Sequence, residues 1–165
     1  MLGNLMYQTR KPDQIAVLVS GTDPAVVAEL REDFPGVTFH VREDRDDWGH
    51  EKRAEGRFIA TGDFMGFFND DDSYDLTYIE KLLDATEDGF YDVAYVGWNS
   101  IPYCEFRTHH STSGNYIVRT SIARRADYEH RVYDSDGKFI ESIKEIGAVV
   151  APRVDGILYF HNHQP

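Results

Sequence analysis

The chain has 165 residues, 41% of them apolar, and a formal net charge of −12. Length and apolar share exclude a disordered chain and allow a single domain with a real core. The negative balance argues against nonspecific nucleic-acid binding and against an anionic membrane surface, both of which need a basic face. No apolar run reaches the length needed to span a bilayer. The first residues lack the long apolar segment of a secretory signal. Cys104 is the only cysteine, so neither an intrachain disulfide nor a cysteine-based zinc site is expected. A reduced, cytoplasmic setting is the expectation.

Gln14 to Ser20 is rich in β-branched residues and reads as a strand. Gly21-Thr22-Asp23-Pro24 turns the chain, and Asp23 is placed to cap a helix over Ala25 to Phe34. Pro35-Gly36 stops that helix. Val37 to Val41 follows as a strand with Val37, Phe39 and Val41 on one face. A charged loop then leads to a helix over Trp48 to Thr61, weakened by Gly49 and Gly56. Phe64, Met65, Phe67 and Phe68 form a short buried strand. Leu76, Ile79, Leu82 and Leu83 recur at helical spacing. Further strands are predicted at Asp92 to Trp98, Tyr103 to Phe106, Tyr116 to Val118, Val149-Val150 and Ile157 to Phe160. Helices are predicted around Ser121 to Ala126 and over Phe139 to Ile146. Alternating strands and helices imply an α/β fold with a mixed, mostly parallel sheet flanked by helices.

The most informative stretch is Asn69-Asp70-Asp71-Asp72, directly after the phenylalanine-rich strand. Burying that strand puts an amide and three carboxylates at its carboxyl end, the edge where open α/β sheets bind ligands. Carboxylates this close repel one another, and a hard divalent cation relieves the repulsion. An oxygen-only donor set favours Mg²⁺, Mn²⁺ or Ca²⁺ over zinc. The competing reading is a solvated, acidic helix start, for which Asp75 alone would serve.

Taken together, these residues resemble the nucleotide-sugar-binding core of GT-A-fold glycosyltransferases of the family 2 type. The matching features are Gln8-Thr9, the strand Ile15 to Val19, Gly21-Thr22-Asp23, Lys52-Arg53 with Gly56, and Asn69 to Asp72. Later matches are Gly114-Asn115-Tyr116-Ile117-Val118-Arg119 and Asp136-Gly137-Lys138-Phe139. The family carries a strand and loop ahead of the region matched here, and residues 1 to 8 resemble the end of the helix that follows them. The resemblance covers most of the chain. It implies one GT-A-like domain, with a nucleotide-sugar half over about residues 1–75 and an acceptor half over about 76–165. It also implies metal-dependent transfer of a sugar from a nucleotide-sugar donor to a carbohydrate or other hydroxyl acceptor, with inversion. A degenerate module that binds a sugar or metal without turnover is the alternative. Association into a homo-oligomer is left open.

The resemblance assigns roles residue by residue. Asn69-Asp70-Asp71 aligns with the Asp-x-Asp (DXD) motif, which makes Asp71 the first choice as ligand to Mn²⁺ or Mg²⁺. Asp72 is the alternative ligand, and Asp70 faces ribose or water. Ser20 stands near the expected base site. Lys52 and Arg53 stand where a basic residue contacts the nucleotide, and arginine suits a diphosphate through paired donors. Their bland reading is surface pairing with Glu51 or Glu55. Asp136 is the candidate base, with Asp134 as backup; a helix cap is the alternative for Asp136. His161 could complete a metal shell, and alternation puts His163 on the same strand face, although a frayed terminus explains both. His109-His110 sits in a polar loop. Trp98-Asn99, at a strand end, is the best acceptor platform. Trp48, Tyr103 and Tyr116 are aromatics that either stack on sugars or fill the core.

Overall fold

The computed structural model describes residues 1–43, 49–129 and 132–162. Trp48, His163 and most of the acidic loop that follows Arg42 lie outside the described residues. The elements run α1 (Leu2–Met6), β1 (Ala16–Ser20), α2 (Pro24–Asp33), β2 (Thr38–Arg42), α3 (His50–Ile59), β3 (Phe64–Gly66) and β4 (Ser73–Tyr74). They continue with α4 (Tyr78–Asp84), β5 (Val93–Trp98), β6 (Tyr116–Arg119), α5 (Thr120–Arg125), α6 (Ser135–Glu145) and β7 (Val154–Phe160).

Local chemistry sets the first unit. Asp23 Oδ1 accepts from the Ala25 N–H at 2.8 Å, and Pro24 takes the first helical position. The chain returns from α2 so that β1 and β2 pair in parallel, with Val17 opposite Phe39. Val27, Val37 and Phe39 form a small core between α2 and this pair.

The second sheet has the order β3-β6-β5-β7-β4. It is mixed, as expected, but antiparallel contacts outnumber parallel ones, which corrects the expectation of a mostly parallel sheet. Only β5/β7 is parallel in it; β3/β6, β5/β6 and β4/β7 are antiparallel. A helix-covered crossover returns a strand in parallel. Between β5 and β6 the chain has only a 3-10 turn, Ser113–Asn115, and it comes back reversed.

Two strand expectations fail. Tyr103 to Phe106 alternates like a strand, with Tyr103 exposed and Cys104 and Phe106 buried, yet it is irregular loop. Alternation reported burial and not backbone pairing. Val149-Val150 contributes a single bridge, Val93 to Val150, and the last strand starts later, at Val154. Conversely, β4 was hidden inside the acidic stretch. It pairs with β7 through Ser73–Phe160 and Tyr74–Tyr159.

Apolar side chains pack on both faces of the larger sheet. On one face Val93 and Val118 pack with Ile122 of α5 and Phe139, Ile140 and Ile143 of α6. On the other Ala94, Val96, Tyr74 and Tyr159 pack with Tyr78, Ile79 and Leu82 of α4. Tyr74 lies 5.0 Å from Tyr78 and 5.3 Å from Tyr159 between ring centroids, within the range of favourable aromatic pairs. Tyr116 is buried in the core and is no sugar platform. Among the described residues, no helix is long and apolar enough to cross a membrane.

Gly97 sits at the register shift where β5 meets β7. A Cβ there would overlap the Pro102 carbonyl. The obstruction is backbone, so it cannot rotate away. Gly97→Ala is expected to destabilise the protein by about 3 kcal/mol or more, read as a lowered urea midpoint. A midpoint equal to that of the parent would contradict this packing.

Candidate functional site

The acidic tip emerges from the carboxyl end of β3, as the sequence implied, but its three carboxylates have different fates. Asp70 and Asp71 are exposed. Asp72 is buried, with a fully enclosed side chain. A carboxylate in that position must be hydrogen-bonded on both oxygens. Its Oδ2 accepts from Asn69 Nδ2 at 2.7 Å and from the Tyr159 hydroxyl at 2.7 Å. Its Oδ1 accepts from the Asn162 N–H at 3.1 Å and lies 2.9 Å from His161 Nδ1. Burial alone would raise the Asp72 pKa. The donors from Tyr159, Asn69 and Asn162, with the His161 ring, outweigh it and hold the group below its ordinary value.

Helix α3 supplies two cations to the same end of the molecule. Lys52 Nζ donates to Ser20 Oγ, at the end of β1, at 2.6 Å. Arg53 Nη2 donates to Asn69 Oδ1 at 2.7 Å. Asn69 is thus held with its oxygen toward a guanidinium and its nitrogen toward a carboxylate, which fixes the orientation of the amide. Both cations thus reach side chains of the strand ends. Glu55 instead pairs with Arg42 at 2.6 Å. Ser20, Lys52, Arg53, Asn69 and Asp70 all line one cleft of about 1710 Å³, which runs between β1 and β3.

Asp136 reaches this assembly from α6. The helix begins at Ser135, so Asp136 lies in its first turn and is not its cap. Its Oδ1 accepts from the Tyr128 hydroxyl at 2.6 Å and lies 3.6 Å from His50 Nδ1. Burial would raise its pKa, but His50, the Arg53 charge and Tyr128 together lower it to about 2. Burial likewise works against the Arg53 charge, and Asp136 and Tyr128 more than offset that, so its pKa lies above the ordinary value. The result is one polar line: Asp136, Arg53, Asn69, Asp72. It joins α6, α3, the acidic tip and the C-terminal segment.

Other expected residues fall elsewhere or are already engaged. Asp134 is exposed at the start of α6 and makes no side-chain cap bond. Trp98 is half-buried; its Nε1 donates to His110 O at 3.2 Å, and its ring stands edge-on to His161. The Asn99 side chain binds backbone, donating to His161 O at 3.1 Å and accepting from His161 N at 3.0 Å, and so clamps the C-terminal segment. His161 is likewise no frayed end. Tyr103 is exposed beneath the Arg153 guanidinium. Sequence reasoning missed Tyr128, His50, Tyr159 and Asn162. Their carboxylate partners lie at least eight residues away in sequence, so no local pattern marks them.

Donor chemistry decides which residues suit a divalent cation. Asp72 does not suit the ligand role in this arrangement, because protein donors saturate both of its oxygens. Among the described residues no three His, Cys, Asp or Glu side chains converge into a cage. Exposed Asp71, beside Asp70, does suit an ion held by one or two carboxylates and completed by substrate phosphates.

Residues 2–147 match the pattern described as Glycosyl transferase family 2. No curated protein matches the sequence. The fold is similar to that of Staphylococcus aureus TarS, with 14% identity and a TM-score of 0.74 over 100% of this chain and 34% of that one. It is also similar to TarS 1–349 solved in complex with UDP-GlcNAc, with 13% identity and a TM-score of 0.77 over 100% of this chain and 54% of that one. HddC from Yersinia pseudotuberculosis gives 16% identity and a TM-score of 0.61 over 96% of this chain and 77% of that one. At these identities the likeness concerns the fold alone. The chain spans about a third of TarS and about half of its 1–349 fragment.

Buried Asp72 and half-buried Asp136 both have folded pKa values below their ordinary ones. Their contribution to stability is complete above the unfolded value, about 3.9, and is lost as the pH falls through the folded values. With a folded value of about 2, Asp136 contributes about 2 kcal/mol. Thermal melting followed by circular dichroism should therefore show Tm falling below about pH 4. Asp72→Asn should lower stability at neutral pH by about 1–3 kcal/mol and make the acid fall shallower. A parallel displacement of the whole curve, with no change in slope, would argue against the pairing described for Asp72.

Proposed function

The chain belongs to glycosyl transferase family 2, and we propose that it transfers a sugar from a nucleotide-sugar donor to a hydroxyl acceptor with inversion. The observation that carries the proposal is the convergence of Ser20, Lys52, Arg53, Asn69 and Asp70 on one cleft, with Asp136 linked to it through Arg53. The UDP-GlcNAc bound to the similar TarS fragment makes a UDP-sugar the first donor to test. In this reading residues 1–75 hold the donor and residues 76–165 face the acceptor.

Lys52 and Arg53 bind the donor's diphosphate, Arg53 through its paired donors. Ser20 and Asp70 contact the nucleoside. Asp71 is the residue that would hold Mn²⁺ or Mg²⁺ against the phosphates, where the ion supplies Lewis-acid stabilisation of the leaving group's charge. The acceptor oxygen forms its bond to the anomeric carbon as the bond to the diphosphate breaks. The electron pair of the broken bond leaves with the nucleoside diphosphate, and the acceptor proton passes to Asp136. In the resting site Asp136 is a weak base. A bound diphosphate that draws the Arg53 charge toward itself raises the Asp136 pKa and strengthens it as a base. Trp98, at the end of β5, and the adjacent Asn99 contact the acceptor in this reading.

Two observations favour a second reading, a sugar-binding module without turnover. Asp72 is fully engaged with protein donors, and Asp136 is held strongly acidic. Hydrolysis of the donor in the absence of acceptor separates the two readings, since only an enzyme releases the nucleoside diphosphate.

Calorimetric titration of Mn²⁺ with a UDP-sugar present should show binding that Asp71→Ala removes. Asp136→Asn should keep donor affinity and lower transfer by about 10²–10⁴-fold. Near-normal turnover in that variant would take Asp136 out of the mechanism.

A further inference from the structure

Asp72 and Asp136 are both drawn into the site, but their oxygens are used differently. Both oxygens of Asp72 are taken by protein donors. On Asp136 the Tyr128 hydroxyl donates to Oδ1 at 2.6 Å, and His50 Nδ1 stands 3.6 Å from the same atom. Among the described residues no hydrogen bond reaches Oδ2, and 25% of the side chain stays exposed. One oxygen is held and the other is open. A carboxylate turns easily about its Cβ–Cγ bond, a broad torsion. A single short bond to Oδ1 therefore also decides where Oδ2 points.

Tyr128 is held firmly enough to make that bond directional. The residues just before it are pinned on two sides. Arg57 of α3 donates to the Ala126 carbonyl, and the Asp127 N–H donates to Ser142 Oγ of α6 at 2.7 Å. The Tyr128 ring is buried between three elements. Its centroid lies 4.8 Å from Phe139 of α6, 6.3 Å from Phe67 beyond β3 and 6.3 Å from His50 of α3. Phe139 stands three residues after Asp136, so the ring that Tyr128 packs against and the carboxylate it bonds share one face of α6. Burial, followed by the Asp136 charge, pushes the Tyr128 hydroxyl above its ordinary pKa. It therefore stays protonated, and its single proton is committed to Oδ1. The titratable and charged groups that face Asp136 from neighbouring elements are His50 and Arg53 of α3, Tyr128, and Tyr116 of β6.

We propose that Tyr128 is a positioning residue for sugar transfer: it holds Oδ1 of Asp136 so that Oδ2 is the oxygen that takes the acceptor's proton. This role rests on the transfer reading above. As the acceptor O–H bond breaks, its proton goes to Oδ2 and its electron pair forms the bond to the anomeric carbon. The pair of the broken sugar–phosphate bond leaves with the nucleoside diphosphate. Tyr128 keeps its own proton throughout and touches no reacting atom. Removing its hydroxyl has two effects. The carboxylate loses its fixed orientation, and its ionised form loses a donor, which raises the Asp136 pKa. The pH below which turnover falls then moves up.

Release of UDP from radiolabelled UDP-GlcNAc, with Mn²⁺ present and water as the acceptor, tests this when followed against pH. Tyr128→Phe keeps the ring contacts and removes only the hydroxyl. It should lower kcat by roughly tenfold, leave KM for UDP-GlcNAc within about twofold, and move the acid limb of kcat up by about one pH unit. In an Asp136→Asn background the same substitution should change the residual rate by less than about twofold, because its effect passes through the carboxylate. An unmoved acid limb, or an equal loss of rate in both backgrounds, overturns the proposal. Should Tyr128→Phe fail to fold, replacing Tyr128 by 3-fluorotyrosine keeps the ring and gives a stronger donor. The acid limb should then move down, and an unmoved limb overturns the proposal. A parent protein that releases no UDP is the failure of the transfer reading, and this role falls with it. An active parent whose acid limb ignores the Tyr128 hydroxyl overturns this role alone.

Discussion

A buried carboxylate is the constraint on which the architecture of the site depends. Asp72 cannot stay ionised in the interior without donors on both oxygens. The protein provides them from Asn69, three residues before it, and from Tyr159, His161 and Asn162, about ninety residues later. That requirement pulls the C-terminal segment across the acidic tip. It also places β7 beside β4 and aligns Tyr159 with Tyr74 and Tyr78. Removing the carboxylate would leave several buried donors unsatisfied at once, which costs more than the loss of any single bond.

The same tip is tied to the rest of the molecule by a second device. Arg53 on α3 holds Asn69, and its charge is balanced by Asp136 on α6. A half-buried guanidinium gains from that compensation. The pairing makes α3 the mechanical link between the smaller sheet and the larger one, because Lys52 on the same helix grips the end of β1. A ligand with negative charge entering between Lys52 and Arg53 would therefore meet groups whose positions are already set. Such preorganisation is what an electrostatic site requires.

The acidic stretch also shows how one motif divides its labour. Three successive aspartates look equivalent in sequence. In the fold, Asp70 and Asp71 face water while Asp72 faces inward, because β4 starts immediately afterwards and imposes strand alternation: exposed Asp71, buried Asp72, exposed Ser73, buried Tyr74. The exposed pair can meet a cation or a donor. The inward one organises the structure.

The sequence alone determined much of the local structure. Apolar runs and turn residues placed β1, α2, β2, β5 and β6 closely, since burial and capping are written in neighbouring residues. The strand-end aspartates and the Lys52-Arg53 pair were legible for the same reason. Tertiary structure alone decided which strands pair and in which direction, as the antiparallel return of β6 shows. It also decided that Tyr103 to Phe106 is loop despite its alternation, that Asp72 is consumed by protein donors, and that Asn99 clamps backbone. Each of these depends on partners distant in the chain, and a linear pattern carries no record of what meets a residue across a fold.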